Sequence, residues 1–229
     1  MEFFLTDWAV WTPVADHHTP GVNGHKAPEL PQVPAMTRRR LSMLTKMTFD
    51  VALKVCPQPG PVSTIFASRH GDLRKTLGLL EQIARDEALS PTQFALSVHN
   101  AIVGQLSLFS QNTADTNAVA AGADSLHYAV LEAAARLQTD NNVQHVLVLY
   151  ADEPVPDIYQ SFCQDPAQPV ALALLLSRSE GEKIAFVRQP IEGQIAAEQQ
   201  VVQLLPWLQQ QSRQVAIKGR HCQWLWTRG

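Results

Sequence analysis

Residues 116–138, TNAVAAGADSLHYAVLEAAARLQ, constrain the fold more than any other stretch. Thr116–Ala120 is small and β-branched, and it predicts a short strand. Gly122 then makes a corner, and an amphipathic helix is predicted over 123–138. A strand–corner–helix unit of this kind exposes one side chain beside free backbone N–H groups, the geometry that presents a nucleophile. Here the exposed position is Gly122, which has no side chain to present.

The neighbouring patterns extend this unit into a layered α/β fold. EFFLTDWAVW (2–11) reads as a first strand, and 12–36, rich in Pro and Gly, as a loop. One helix is predicted after a Thr37 cap, with Leu41, Leu44, Met47, Val51 and Val55 at helical spacing. VSTIFAS (62–68) is a short buried strand. DLRKTLGLLEQIARDEA (72–88) follows as a helix whose face Leu73, Leu77, Leu80 and Ile83 is expected to pack. Ser90 and Pro91 start a further helix, and SVHNAIVGQLSL is helical through Gly104. Strands are predicted over 144–151, 169–178, EKIAFVRQ and HCQWLWTR, and a helix over 196–213 kinked near Pro206. The chain of 229 residues is read as a single domain, 1–229.

Charge excludes some functions. The net charge of −3 and the single tight basic run, Arg38, Arg39 and Arg40, do not suit nucleic acid. That run is expected in a solvated first helical turn, against the helix dipole. No stretch reaches the ~20 apolar residues of a membrane span. The start carries Glu2 and Asp7 without a cationic n-region, so no cleaved signal peptide is expected. Cys56, Cys163 and Cys222 form no close pair, which points to free thiols and a cytoplasmic setting.

The candidate chemical groups are sparse. His17, His18 and His25 share one loop, where fixed metal ligation is not expected. His221 and Cys222 are adjacent and should face opposite sides of a strand. Ser125 and His127 lie two apart on a helix and should not face each other, with no nearby acid to orient the histidine. Ser125 is therefore expected to pack or cap. Asp152 and Glu153 follow a strong strand and are read as holding a proline-flanked loop or a subunit contact.

The run Ser97–Leu137 resembles the N-terminal half of β-ketoacyl-acyl-carrier-protein synthases, of the thiolase-like fold. AAGADSL (120–126) falls on that family's T-A-C-A-S-S-L motif, with Leu126 and His127 on its Leu-His. Gly122 falls on the catalytic cysteine and Ala121 on the alanine before it. HVLVLYADEPVPDIY resembles the strand and loop carrying an acidic residue, here Asp152 or Glu153. FFLTDWAVWTP, TRRRLSMLTKM, SVHNAIVGQLSL and DEPVPDIY together resemble short stand-alone synthase-like proteins that accompany aryl polyene and related type II polyketide systems. The resemblance covers most of 1–178 and is strongest over 37–178.

This resemblance implies a truncated thiolase-like fold and a catalytically inactive, chain-length-factor-like subunit. Such a subunit heterodimerises with an active β-ketoacyl-ACP synthase and shapes its acyl cavity, with no cofactor or metal and with acyl carrier protein left open as a further partner. A decarboxylating synthase needs a cysteine nucleophile and two later histidines, or a histidine and an asparagine. This chain has no cysteine at the corner, and Gly229 comes before a full second half would fit. By the same resemblance Leu108, Ala114, Thr116, Asn117, Ala118, Val119, Ala120, Ala121 and Gly122 form the dimer interface and border the acyl pocket. Two alternatives remain at this point: an acyltransferase or hydrolase using Ser125, and a free-standing acyl-binding scaffold.

Overall fold

Each strongly apolar run becomes part of one mixed sheet with helices on both faces. The computed structural model describes residues 1–13, 27–56, 61–163, 168–191 and 200–229. Along the chain lie β1 (Glu2–Trp11), α1 (Ala35–Arg40), α2 (Met43–Val55), β2 (Ser63–Ala67), α3 (Leu73–Ala84), α4 (Pro91–Ala95), α5 (Ala101–Ser110) and β3 (Thr116–Val119). They are followed by α6 (Ser125–Thr139), β4 (His145–Asp152), β5 (Val170–Ser177), β6 (Glu182–Pro190), α7 (Gln200–Leu208), β7 (Gln214–Lys218) and β8 (Cys222–Arg228).

The strands order as β3-β2-β4-β5-β1-β6-β8-β7. β3, β2 and β4 run parallel, with Ile65 opposite Asn117 on one side and Val148 on the other. The remaining pairs are antiparallel. β4 and β5 take the middle because nearly every residue in them is apolar and can be buried on both faces.

Alternation along these strands divides the core in two. Phe66, Leu147, Leu149 and Ala171 meet α2 and α5 through Leu44, Met47, Val51, Ile102 and Leu106. Ile65, Val146, Val148 and Leu172 meet the opposite layer, where α6 offers Leu126, Ala129, Val130, Ala133 and Leu137. The alanines let α6 lie close to the sheet. α7 extends that layer with Leu204, Trp207 and Leu208 against Trp224 and Trp226. Arg228 pins the last strand: its guanidinium lies 4.3 Å over the Trp207 ring and pairs with Glu182.

The α/β layering and most predicted elements are present, with three differences. The single helix expected after Thr37 is two helices. Leu41 turns extended, and Ser42 caps α2 by accepting the Thr45 N–H at 3.2 Å. Arg38, Arg39 and Arg40 therefore occupy the last turn of α1, where the dipole favours cations, and not a first turn. β7 has no counterpart in the sequence reading: it is an edge strand with only Ile217 buried, so its alternation is faint. Finally, the predicted inner face of α3 is not inside, since Leu79 is its one buried side chain. Among the described residues, no helix is long and apolar enough to cross a membrane.

Candidate functional site

The corner forms as the sequence implies, and its details follow from local hydrogen bonding. β3 ends at Val119, a 3₁₀ turn spans Gly122–Asp124, and α6 begins at Ser125. Gly122 has φ +59°, the left-handed region that favours glycine. Its position is exposed, and a Cβ there would meet nothing within 4 Å. The corner thus leaves open the space a side chain would fill. Ser125 is fully buried and stitches the turn: its Oγ accepts the Ala121 N–H at 2.9 Å and donates to the Gly122 carbonyl at 2.7 Å. The packing or capping role expected of Ser125 is the observed one.

His127 is turned into the core. It stacks on Trp224, with ring centroids 5.1 Å apart, and on Phe186 at 6.2 Å. Its Nδ1 meets Gln200 Oε1 at 2.7 Å. Because Gln200 Oε1 can only accept, Nδ1 carries the proton, which leaves Nε2 bare and without a partner. Burial pushes the imidazole down to about 4, against the weaker opposite pulls of Gln200 and Asp124. It therefore stays neutral at physiological pH. The structure does not bring Ser125 and His127 together as a nucleophile and base, since each is bonded elsewhere.

Asp124 is the group the sequence reading missed. Its Oδ1 accepts Gln200 Nε2 and Trp224 Nε1, each at 2.9 Å, and its Oδ2 accepts the Arg220 N–H at 3.0 Å. Gln200 also donates to the Lys218 carbonyl. One buried carboxyl thus ties the start of α6 to α7, the β7–β8 turn and β8. Gly219 is required beside it, because a Cβ there would collide with Asp124 Oδ1. The sequence reading found no acid near His127; the structure supplies one, acting through Gln200. An acidic residue in a first turn hints at a cap, but the Asp124 side chain makes no cap bond and its partners lie 76 to 100 residues away.

A second carboxyl cluster closes the carboxyl ends of β2 and β4. Asp152 is buried, accepting Ser68 Oγ at 2.7 Å, the Arg69 N–H at 2.8 Å and Tyr150 Oη at 2.5 Å. Burial raises its carboxyl above the usual range, and those three donors pull it back. Glu153 is pushed up to about 7 by burial and by neighbouring Asp72 and Asp152, with Arg74 and Lys75 opposing. Ser68 Oγ in turn accepts the Gly71 N–H, and Asp72 caps α3 at Lys75. Asp152 thus joins the end of β4 to the turn after β2, and Glu153 lies 3.7 Å from Arg74; Ser68, Tyr150 and Arg74 are partners that sequence alone did not reveal.

β3 lies at the edge of the sheet. Asp115 and Val119 carbonyls accept the Thr64 and Ser68 N–H groups, so Thr116 and Ala118 direct their backbone outward. The Ala118 N–H is covered only by its neighbour, Asn117 Oδ1, at 2.8 Å. Thr116, Asn117 and Ala120 are exposed; Ala114, Ala118, Val119 and Ala121 are half-buried. Leu108 on α5 is 83% exposed. Val119 partly packs on the protein's own core.

Of the other candidates, Cys222 is buried while His221 beside it is exposed, as their alternation implies. All three cysteines are free, and burial pushes the Cys56 thiol up. His17, His18 and His25 lie outside the described residues; among those described, no group of three His, Cys, Asp or Glu side chains is placed to hold a metal ion. A cavity of about 30 Å³ between α2, α5 and β2, bordered by Leu53, Cys56, Val103 and Leu106, is too small to enclose an acyl chain.

The model of the family described as β-ketoacyl synthase, N-terminal domain, matches residues 8–227. Among solved structures, the chain aligns with a chain from the complex of a ketosynthase (ApeO) with its chain length factor (ApeC) from Xenorhabdus doucetiae. That match has a TM-score of 0.85 and 28% identity, and it covers 100% of both chains. The ishigamide ketosynthase/chain length factor matches at TM-score 0.62 and 14% identity, over 83% of this chain and 68% of that one. A β-ketoacyl synthase from Burkholderia phymatum matches at TM-score 0.57 and 10% identity, over 80% of this chain and 55% of that one. These last two share the fold. Among curated proteins, none matches in sequence.

Two expectations follow from the buried carboxyls. Asp124→Asn sets an amide NH₂ against donors that now meet oxygen, so it should cost about 1–3 kcal/mol. Denaturant unfolding followed by tryptophan fluorescence measures this; a wild-type midpoint would show that Asp124 does not tie these elements. Glu153 takes up a proton more readily folded than unfolded, so its contribution is full below the ordinary value of 4.5 and is lost as pH rises through about 7. Glu153→Gln should therefore match wild type near pH 4.5 and exceed it at pH 8 by on the order of 1 kcal/mol. Melting curves across that range check the crossing.

Proposed function

The chain belongs to the β-ketoacyl synthase N-terminal domain family, and we propose that within it this protein is a non-catalytic, chain-length-factor-like subunit paired with an active β-ketoacyl-ACP synthase. Its fold is the thiolase-like fold of the ketosynthases. The observation that carries the proposal is the corner itself. Gly122 sits where the nucleophile would be presented, with open space and no side chain, and Ser125 spends its hydroxyl on the Ala121 and Gly122 backbone. Acyl transfer through a thioester needs a thiolate at that point. A relative spanned end to end belongs to a complex of a ketosynthase with its chain length factor, which supports the same reading.

In this reading the partner supplies the cysteine and the acyl chain. This subunit supplies the β3 edge, Leu108, Ala114 and residues 116–122 as interface and as part of the wall around the growing chain. The setting is aryl polyene or a related type II polyketide or fatty acid pathway. An unpaired edge strand needs a cover, and the outward groups of Thr116 and Ala118 give the partner's strand a ladder to join.

Val119 contributes to the protein's own core, so a charge there would unfold the subunit as well as break an interface. Ala118→Pro is cleaner: it removes an outward N–H that β2 does not use, and proline is tolerated on an edge strand. The variant should keep its own melting temperature and lose co-purification with a co-expressed ketosynthase. A complex at wild-type yield would rule out pairing through β3. Gly122→Cys has room for its side chain, yet it should restore no malonyl decarboxylation. Decarboxylation by the purified wild-type chain would overturn the non-catalytic reading.

A further inference from the structure

Among the described residues, the α3–α4 hairpin carries an apolar face that is left largely exposed. Leu73, Leu77, Leu80 and Ile83 recur at the spacing of one helical face. Yet Leu80 is 48% and Ile83 57% exposed, while Phe94 on α4 and Val98 after it are 59% and 43% exposed. From Leu73 to Val98 only Leu79 is buried. A helix of this length is marginal in water and draws its stability from packing its apolar face, and large exposed apolar patches on soluble proteins mark interaction surfaces.

The base of the hairpin, in contrast, is firmly held. Asp72 caps α3, Gly71 packs against His99, and Arg74 reaches Glu153 and the Pro154 carbonyl. The hairpin is thus a fixed base with a bare tip. Its position follows from connectivity: the chain leaves the carboxyl end of β2, passes through α3, α4 and α5, and returns as β3. β3 is the strand at the edge of the sheet, and β2 lies next to it. Charges along the hairpin balance, with Arg74, Lys75 and Arg85 against Glu81, Asp86 and Glu87. No single-sign field is present to draw a nucleic acid or an anionic membrane surface.

We propose that the α3–α4 hairpin is a docking arm whose apolar face, through Leu80, Ile83, Phe94 and Val98, is covered by the same ketosynthase that pairs with β3. The inference rests on the partnership proposed above and adds a second, independent contact to it. The occupant is a folded apolar surface of that ketosynthase. A relative aligned along its whole length is found in a complex of two different proteins, which favours a ketosynthase over a second copy of this chain.

The test uses the full chain with a co-expressed ketosynthase, comparing wild type with Ile83→Asp and Phe94→Asp. Both positions are exposed, so the variants should fold with unchanged melting temperature. Their affinity for the ketosynthase should fall at least about tenfold. Hydrogen exchange at residues 73–95 of the wild-type chain should slow when the ketosynthase binds. Wild-type affinity in both variants, or unchanged exchange in this segment within the complex, would overturn the arm while leaving the partnership standing. Failure of the wild-type chain to bind any ketosynthase would overturn both. Self-association of the isolated chain that Ile83→Asp abolishes, with ketosynthase affinity intact, would assign the face to a second copy and refute the proposal.

Discussion

The Asp124 carboxyl joins parts of the chain that would otherwise have little reason to meet. It sits in the turn before α6 and accepts hydrogen bonds from α7, from the turn after β7 and from a tryptophan of β8. A buried carboxyl with missing donors is costly, so these elements reach full stability only together. His127 belongs to the same unit: it donates to Gln200 and lies parallel to Trp224 and Phe186, which also stack on each other. The residues around this corner form the seam that ties α7, β7 and β8 to the start of α6.

The two ends of the sheet are finished differently, and the difference bears on function. β7 is an edge strand with α7 packed against it and Ile217 tucked under it. β3 is the opposite edge, with outward backbone groups covered in one place only, by Asn117. Natural edge strands are blunted or paired, because an open ladder recruits other strands. The open edge, the exposed Gly122 corner and the bare face of the α3–α4 hairpin all arise within residues 73–122. Such a concentration fits the proposal that a partner completes this side of the structure.

Much of this was legible in the residues. Continuous apolar runs located β2, β4 and β5, which are buried on both faces, and apolar patterning located β1, β6, β8, α5 and α6, which bury one face. Gly122 was legible as a corner because few other residues accept a left-handed turn. Ser125 and the Asp152–Glu153 pair were read as structural from local spacing alone. The break at Leu41–Ser42 was not, because Leu41 continues the apolar spacing and only the Ser42 cap marks the start of α2. β7 was not, because a strand with one buried residue carries almost no pattern.

By itself, then, the sequence determined the layered α/β class, the strand–glycine–helix corner and the lack of a thiol there, since these depend on neighbours within a few positions. Only the tertiary structure decided that Asp124 finds Gln200, Arg220 and Trp224, that β3 is an edge, and that Leu80 and Ile83 stay outside. Those facts depend on which distant segments come to lie beside one another. An amphipathic pattern marks an apolar face; whether the chain's own core covers it is set by the packing of the whole chain.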